Sequence, residues 1–230
     1  VGVTACSRED RQRLAELYGL DPVGVALVPN GADLESLLYI ETRERERVQR
    51  RLTDFGVLFM GSLHGPNIEA ARYICDDLAP QFPDLQFWIV GSVCRHCEAG
   101  GSNVYLFDEV NDIDKHALLA CARLAVNPVT SGSGSNLKMA EYLGAGLPVL
   151  STPHGARGMA LEGVNGVFLE SLGNFPEKLK IVVNDLERGA LKGKVGTGPG
   201  FAPAEHDWRV IAGNYYAFLV STGLKTETLC

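Results

Sequence analysis

Short, nearly continuous apolar runs alternate with stretches whose apolar positions recur every three to four residues. Val57-Leu58-Phe59-Met60, Phe87–Val90, Val104–Phe107, Leu124–Val126, Val149-Leu150 and Val167–Leu169 are too short for amphipathic helices. They read as strands buried on both faces. Between them, the spacing predicts helices over residues 67–78, with Asn67 as the cap, and over 113–122 and 175–186. Another helix opens directly after the small-residue run Ser131–Ser135. Near the start, Val1–Thr4 and Val25–Val28 read as strands around a helix that begins at Ser7, with Asp10 three residues on, and stops at Gly19. Pro29-Asn30-Gly31 is a turn, Glu41–Arg51 a mixed charge run on a solvated helix face, and residues 208–220 a terminal helix with one aromatic face. Repeated strand–helix units of this kind predict an α/β fold, a Rossmann-like parallel sheet with helices on both faces.

Such folds bind ligands outside the carboxyl ends of their strands. The pattern therefore gathers five loops around one crevice: residues 61–66, 91–92, 108–111, 129–135 and 153–158. The fourth loop is the most informative. Ser131-Gly132-Ser133-Gly134-Ser135-Asn136 leads straight into a helix carrying Lys138 and Glu141 three residues apart, on one face. Small residues let backbone amides approach an anion, and the helix N-terminus adds partial positive charge. A cation and a carboxylate just inside that helix suit a ligand with a phosphate end and a hydroxylated end, as in a nucleotide sugar.

Composition narrows the field. A net charge of −7 argues against broad nucleic-acid binding, and no run approaches the length of a membrane span. The six cysteines are scattered. They read as reduced thiols of a cytoplasmic protein, and the close pair Cys94/Cys97 lacks the second pair that a structural zinc site needs. The Gly132/Gly134 loop is not a dinucleotide fingerprint, because Leu137 stands where a third small residue belongs and the loop follows the fourth strand of its series. A Walker ending and a serine-nucleophile elbow are both missing. Among the dispersed histidines, His64 and His154 fall on crevice loops. Asp108, Glu109 and Asp112 read as capping or solvating the start of the helix at 113. Trp208, Tyr215, Tyr216 and Phe218 read as core or interdomain packing.

Five segments in order carry a resemblance: Val3-Thr4-Ala5-Cys6-Ser7, Val28-Pro29-Asn30-Gly31-Ala32-Asp33, Phe59-Met60-Gly61-Ser62-Leu63, Ile89-Val90-Gly91, and Gly134–Glu141 with Gly146–Thr152. Over roughly residues 1–170 the chain resembles the C-terminal half of a family-4-type retaining glycosyltransferase of the GT-B fold. The resemblance implies one half of a two-domain enzyme. Residues 1–52 would be the end of, or linker from, an N-terminal acceptor domain. Residues 53–187 would be the nucleotide-sugar donor-binding domain, 188–205 a mobile linker, and 206–230 the C-terminal helix and tail. The chain begins Val-Gly-Val-Thr without an initiator Met, in keeping with a fragment that lacks its acceptor domain.

The same resemblance implies donor-binding roles for Gly61, Ser62, His64, Gly91, Phe107, Ser133, Gly134, Ser135, Asn136, Leu137, Lys138 and Glu141. Glu141 would hold the ribose, Lys138 would neutralise the diphosphate with Arg157 as a second contact, and the loop after Val104–Phe107 would border the base. No catalytic residue is assigned, and neither a metal nor a cofactor is expected. The expected partners are the donor itself and the missing acceptor domain, with room for peripheral membrane association of a full-length enzyme. Two departures stand out. Many relatives carry a glutamate where Ser133 stands, and many carry an Arg and a Lys where Ser62 and Gly65-Pro66-Asn67 stand. A subgroup with Pro-Asn in that loop and a lysine matching Lys138 is the nearer likeness. The expected function is sugar transfer from a nucleotide-diphosphate sugar, with retention. The alternatives are a non-catalytic nucleotide-sugar binding module and a nucleotide-sugar epimerase.

Overall fold

The computed structural model describes residues 2–33, 54–98, 101–132, 136–159, 161, 163–191 and 207–221. The loop centre Ser133-Gly134-Ser135, the charge run 41–51 and His206 lie outside the described residues.

Among the described residues two parallel sheets are present. β1 (Val3–Ala5) and β2 (Val25–Leu27) pair in a small one, joined by α1 (Arg8–Tyr18). The helix starts as its sequence dictates. The Ser7 hydroxyl accepts from the Asp10 amide at 2.9 Å, and Gly19 closes the end in the left-handed conformation. The large sheet has the order β5-β4-β3-β6-β7-β8. Its strands are β3 (Phe55–Met60), β4 (Leu85–Val90), β5 (Val104–Phe107), β6 (Leu124–Asn127), β7 (Val149–Ser151) and β8 (Val167–Leu169). Every pairing is parallel, and Val57 lies opposite Phe87 on one side and Leu124 on the other.

The continuous apolar runs are explained by what covers them. All six residues of β3 are buried, as are all of β6 and β7. One face packs against α2 (Gly65–Arg72, continuing in π geometry over Tyr73–Leu78) and α5 (Phe175–Glu187), around Phe59, Phe87 and Phe175. The other face packs against α3 (Asp112–Cys121) and α4 (Leu137–Gly144), around Leu58, Leu119, Met139 and Tyr142. Truncating any of the three buried phenylalanines to alanine would cost about 3–5 kcal/mol in transfer and cavity terms.

Residues 208–221 form α6 (Trp208–Ser221), which buries only Ile211. Of its aromatic residues, Trp208 is 45% and Tyr216 58% exposed, so neither enters a core within this chain, while Tyr215 and Phe218 are half-buried. Among the described residues, no helix is long and apolar enough to cross a membrane.

The sheet order places the switch point between β3 and β6, where successive connections run to opposite sides. The loops after these two strands face each other across the crevice that such a topology opens.

Candidate functional site

The five loops converge there on a cavity of about 670 Å³. Gly61, Ser62, His64 and Pro66 line it from the β3 loop, and Gly91 and Ser92 from the β4 loop. Glu109 and Val110 come from the β5 loop, Val129, Ser131, Gly132 and Asn136 from the β6 loop, and Arg157 from the β7 loop. Leu137, Lys138 and Glu141 enter from α4, Asn67 from α2 and Lys115 from α3.

Lys138 is the second residue of α4, so its charge opposes the helix dipole. Its Nζ lies 4.4 Å from the centroid of the Phe59 ring, which is fully buried, and donates to Asn67 Oδ1 at 2.6 Å. Asn67 is itself 9% exposed, and its amide donates to Ser62 O at 3.1 Å. Desolvation of the ammonium pulls the Lys138 pKa from 10.5 down to about 7, with Glu141 acting in the opposite direction. Burial and dipole thus disfavour the charge, Glu141 and the face of the Phe59 ring favour it, and the hydrogen-bond partner among the described residues is a neutral amide.

Glu141, three residues on, behaves differently. Its Oε1 pairs with Lys115 Nζ at 3.5 Å, and both side chains are under one-third exposed. Lys115 stands at the end of the first turn of α3 and also reaches Asp112 Oδ1 at 3.6 Å. Farther out, Arg95 draws Asp108 and Glu109 together at 3.5 and 3.1 Å.

The loops are held from behind. The Asn136 side chain makes no capping bond and instead donates to Gly155 O at 2.8 Å. The fully buried Asn127 donates to the same carbonyl at 3.0 Å, and Thr152 Oγ1 donates to Val129 O. Asn127 Oδ1 is buried with no hydrogen-bond partner among the described residues. A side chain at Gly155 would meet Asn127 Nδ2 and Ser151 Oγ at 2.7 Å. Gly91 has φ +103°, and a Cβ there would lie 2.5 Å from Gly61 O. The β3 and β4 loops can be this close only because position 91 is glycine. At the other end of α4, Tyr142, fully buried, accepts from the Met60 amide at 2.7 Å and ties the helix to the end of β3.

Of the residues named from sequence, Gly61, Ser62, His64, Gly91, Asn136, Leu137, Lys138, Glu141 and Arg157 all line the cavity. Ser133, Gly134 and Ser135 lie outside the described residues. Phe107 does not line it. Alternation along β5 turns its ring, with Tyr105, to the face of the sheet beside α3, into an apolar groove with Trp88. Only its carbonyl, accepting from the Gly91 amide at 2.9 Å, borders the β4 loop.

Three smaller readings are corrected. The helix begins two residues before Asn67, with His64 at the cap position, because Pro66 suits the first turn. Asn67 is a buried partner of Lys138 instead. The cap of α3 is Asn111, whose side chain accepts from the Asp114 amide at 2.9 Å, while Asp108 and Glu109 pair with Arg95. His154 does not line the cavity, and it contacts Arg157 through Nε2. Arg157 also lines a second cavity, of about 500 Å³, between the start of α1 and α6.

Sequence reasoning missed Lys115 and the role of Asn67. The signal for Lys115 was available: a cation in the first turn of a helix runs against the dipole and calls for a nearby carboxylate.

The cysteines do not gather as a metal site. Among the described residues no group of three or more His, Cys, Asp or Glu is arranged to hold a metal. Cys97 pairs with Cys75 rather than Cys94. The hydrogen bond between them raises the Cys75 pKa and lowers that of Cys97.

Solved structures share this architecture. HepE from Anabaena, determined in complex with UDP and glucose, superposes with a TM-score of 0.72 at 19% identity, over 96% of this chain and 63% of its own. A glycosyltransferase from Rickettsia africae gives 0.71 at 13% identity, over 99% of this chain and 64% of its own. Sucrose-phosphate synthase from Thermosynechococcus elongatus gives 0.66 at 18% identity, over 96% and 58%. The chain thus spans less than two-thirds of the length of these relatives. No curated protein matches it by sequence. At such identities the likeness is one of fold, but the family model for glycosyl transferases group 1 matches residues 54–186, more than half of the chain. The chain belongs to that glycosyltransferase family and has its GT-B-type, Rossmann-like fold.

Proposed function

We propose that this chain is the donor-binding part of an enzyme that transfers a sugar, with retention, from a nucleotide-diphosphate sugar. The carrying observation is Lys138. A lysine pressed against a buried aromatic ring, at a helix N-terminus, with a neutral amide as its hydrogen-bond partner is expensive for folding. A dianionic ligand in the adjoining cavity would relieve both penalties. Glu141 lies about one helical turn away and lines the same cavity, where the hydroxylated part of such a ligand would adjoin its diphosphate. HepE has been solved with UDP-glucose bound, which supports a nucleotide sugar as the ligand class.

The chemistry follows from the charges. As the bond from the anomeric carbon to the diphosphate oxygen breaks, negative charge grows on the leaving group and positive charge on the sugar ring. Lys138 in its ammonium form and the N-terminal amides of α4 would stabilise the leaving diphosphate. Arg157, from the β7 loop, would be a second cation for it. Glu141 would accept hydrogen bonds from the ribose hydroxyls and fix the register of the donor.

A second reading, a binding module without transfer, draws on Ser133 standing where many relatives have a glutamate. Titration calorimetry with UDP, GDP, ADP and UDP-glucose tests the shared premise, with a dissociation constant at or below the micromolar range expected for at least one. Incubation with the donor then separates the classes. Hydrolysis of the sugar–phosphate bond supports the transferase half-site, isomerisation an epimerase, and neither a binding module. Because the chain spans 63% of the length of HepE, efficient transfer by the 230 residues alone would overturn the assignment to the donor part only.

A further inference from the structure

We propose that Lys115 is a positioning residue: it holds the Glu141 carboxylate in place to receive the ribose hydroxyls of the donor. This rests on the donor-binding reading and deepens it. Two lysines lie near Glu141, and they are not equivalent. Lys138 is committed to the Phe59 ring and Asn67. Lys115 reaches across from α3 to Glu141 Oε1 at 3.5 Å, its side chain 27% exposed against 29% for Glu141. Its other partner, Asp112, is 88% exposed and lies on its own helix. The α3–α4 contact is therefore the more sheltered of the two.

A carboxylate offers four lone-pair sites, and one ammonium contact through Oε1 leaves capacity for two donating hydroxyls. Without the ammonium, the Glu141 side chain would sample several rotamers and lose that freedom again on binding. As a fold element the pair contributes little, since a partly exposed ion pair at 3.5 Å is weak. Its value would lie in the ordered acceptor.

The test uses the 230-residue chain and calorimetric titration with UDP, GDP and ADP, then with the 2′,3′-dideoxy form of the tightest binder. Lys115→Met is expected to weaken the ribonucleotide about 5- to 20-fold and the dideoxy form less than about twofold, the difference being a charge-assisted acceptor lost in order rather than in charge. Lys115→Arg should restore most of the loss. In a Glu141→Gln background, Lys115→Met should add under about twofold, because the two residues act through one contact. Asp112→Asn should leave affinity unchanged.

Equal weakening of both nucleotide forms, no weakening, or additive losses in the double variant would each overturn the proposal. Wild-type chain that binds the ribo and dideoxy forms alike would remove the ribose from Glu141 and Lys115 while leaving the diphosphate reading intact. Wild-type chain that binds none of the three nucleotides overturns the donor-binding reading itself. Melting curves of each variant separate loss of folding from loss of binding, and Lys115→Gln serves if the methionine variant does not fold.

Discussion

The two ends of the crevice each hold a lysine, in opposite circumstances. At one end Lys138 packs, partly buried, over the Phe59 ring with a neutral hydrogen-bond partner, and desolvation pulls its pKa down to about 7. At the other, Lys115 and Glu141 compensate each other at the rim. The inner end is strained without a ligand, and the rim is at rest without one. This difference assigns binding energy and geometry to separate places. An anion entering the inner end meets a cation whose direct hydrogen-bond partner is neutral and which only Glu141, one turn away, offsets, whereas a hydroxylated group at the rim meets an acceptor already fixed by its own counter-ion. The first arrangement is suited to affinity and the second to register.

Breaking the inner end should have the largest effect. Lys138→Met is expected to weaken UDP binding by about 100-fold, the loss of a desolvated charge-assisted contact to phosphate. The same substitution should raise the melting temperature, because it removes a charge that the fold holds at a cost. Calorimetry and thermal melts on one preparation read both. A variant that loses affinity and stability together would mean that Lys138 supports the fold instead.

The pH dependence sharpens the contrast. A lysine whose folded pKa is near 7 and whose unfolded pKa is near 10.5 takes up more protons when unfolded across that window. Its contribution therefore makes stability rise from pH 7 to 10.5 and fall as pH drops through that range. Binding has the opposite sign. A diphosphate selects the ammonium, so affinity should decline above pH 7, by at most about tenfold per unit. In Lys138→Met this decline should flatten. Asn67→Asp, which places a carboxylate at the 2.6 Å contact, should raise the Lys138 pKa and shift the decline to higher pH. Titrations between pH 6 and 9 measure all three.

At the rim the expected losses are smaller. Glu141→Gln keeps the size of the side chain and one acceptor but removes the charge. It should weaken UDP about tenfold, the range of a hydrogen bond to a charged group, with little change in pH dependence. A loss as large as that of Lys138→Met would erase the distinction between the ends.

The two ends were unequally legible in the sequence. The parallel sheet and the convergence of five loops follow from continuous apolar runs and short connections, which depend on local pattern. Lys138 and Glu141 could be paired because helical spacing is also local. What sequence could not supply was the partner across the crevice. Asn67 read as a cap because its spacing from the apolar run fits one, yet Pro66 moves the helix start back to Gly65 and leaves Asn67 inside the first turn, facing Lys138. Lys115 lies 26 positions before Glu141, a separation that tertiary structure alone closes. Phe107 was misplaced for a related reason: a strand end was known, but not which of its alternating faces α3 covers. Local periodicity thus carried the fold and half of the site, and the counter-charges that distinguish the two ends came from contacts between elements.

The smallest expected effect tests whether the rim is ordered by its ion pair or by the helix that presents it. Asn111 caps α3 four residues before Lys115, accepting from the Asp114 amide at 2.9 Å while its amide donates to Asp114 Oδ2 at 2.9 Å. Asn111→Ala should destabilise the chain by about 1 kcal/mol through the lost cap. It should change UDP affinity by less than about twofold, because the Lys115 amide is held by the Asn111 backbone carbonyl at 2.9 Å, which the substitution keeps, and Glu141 sits on a different helix tied to β3 through Tyr142. Denaturant titration and calorimetry read the two quantities separately. If affinity instead falls as far as in Lys115→Met, the order at the rim comes from the start of α3 as a unit, with the lysine acting only as its most visible part.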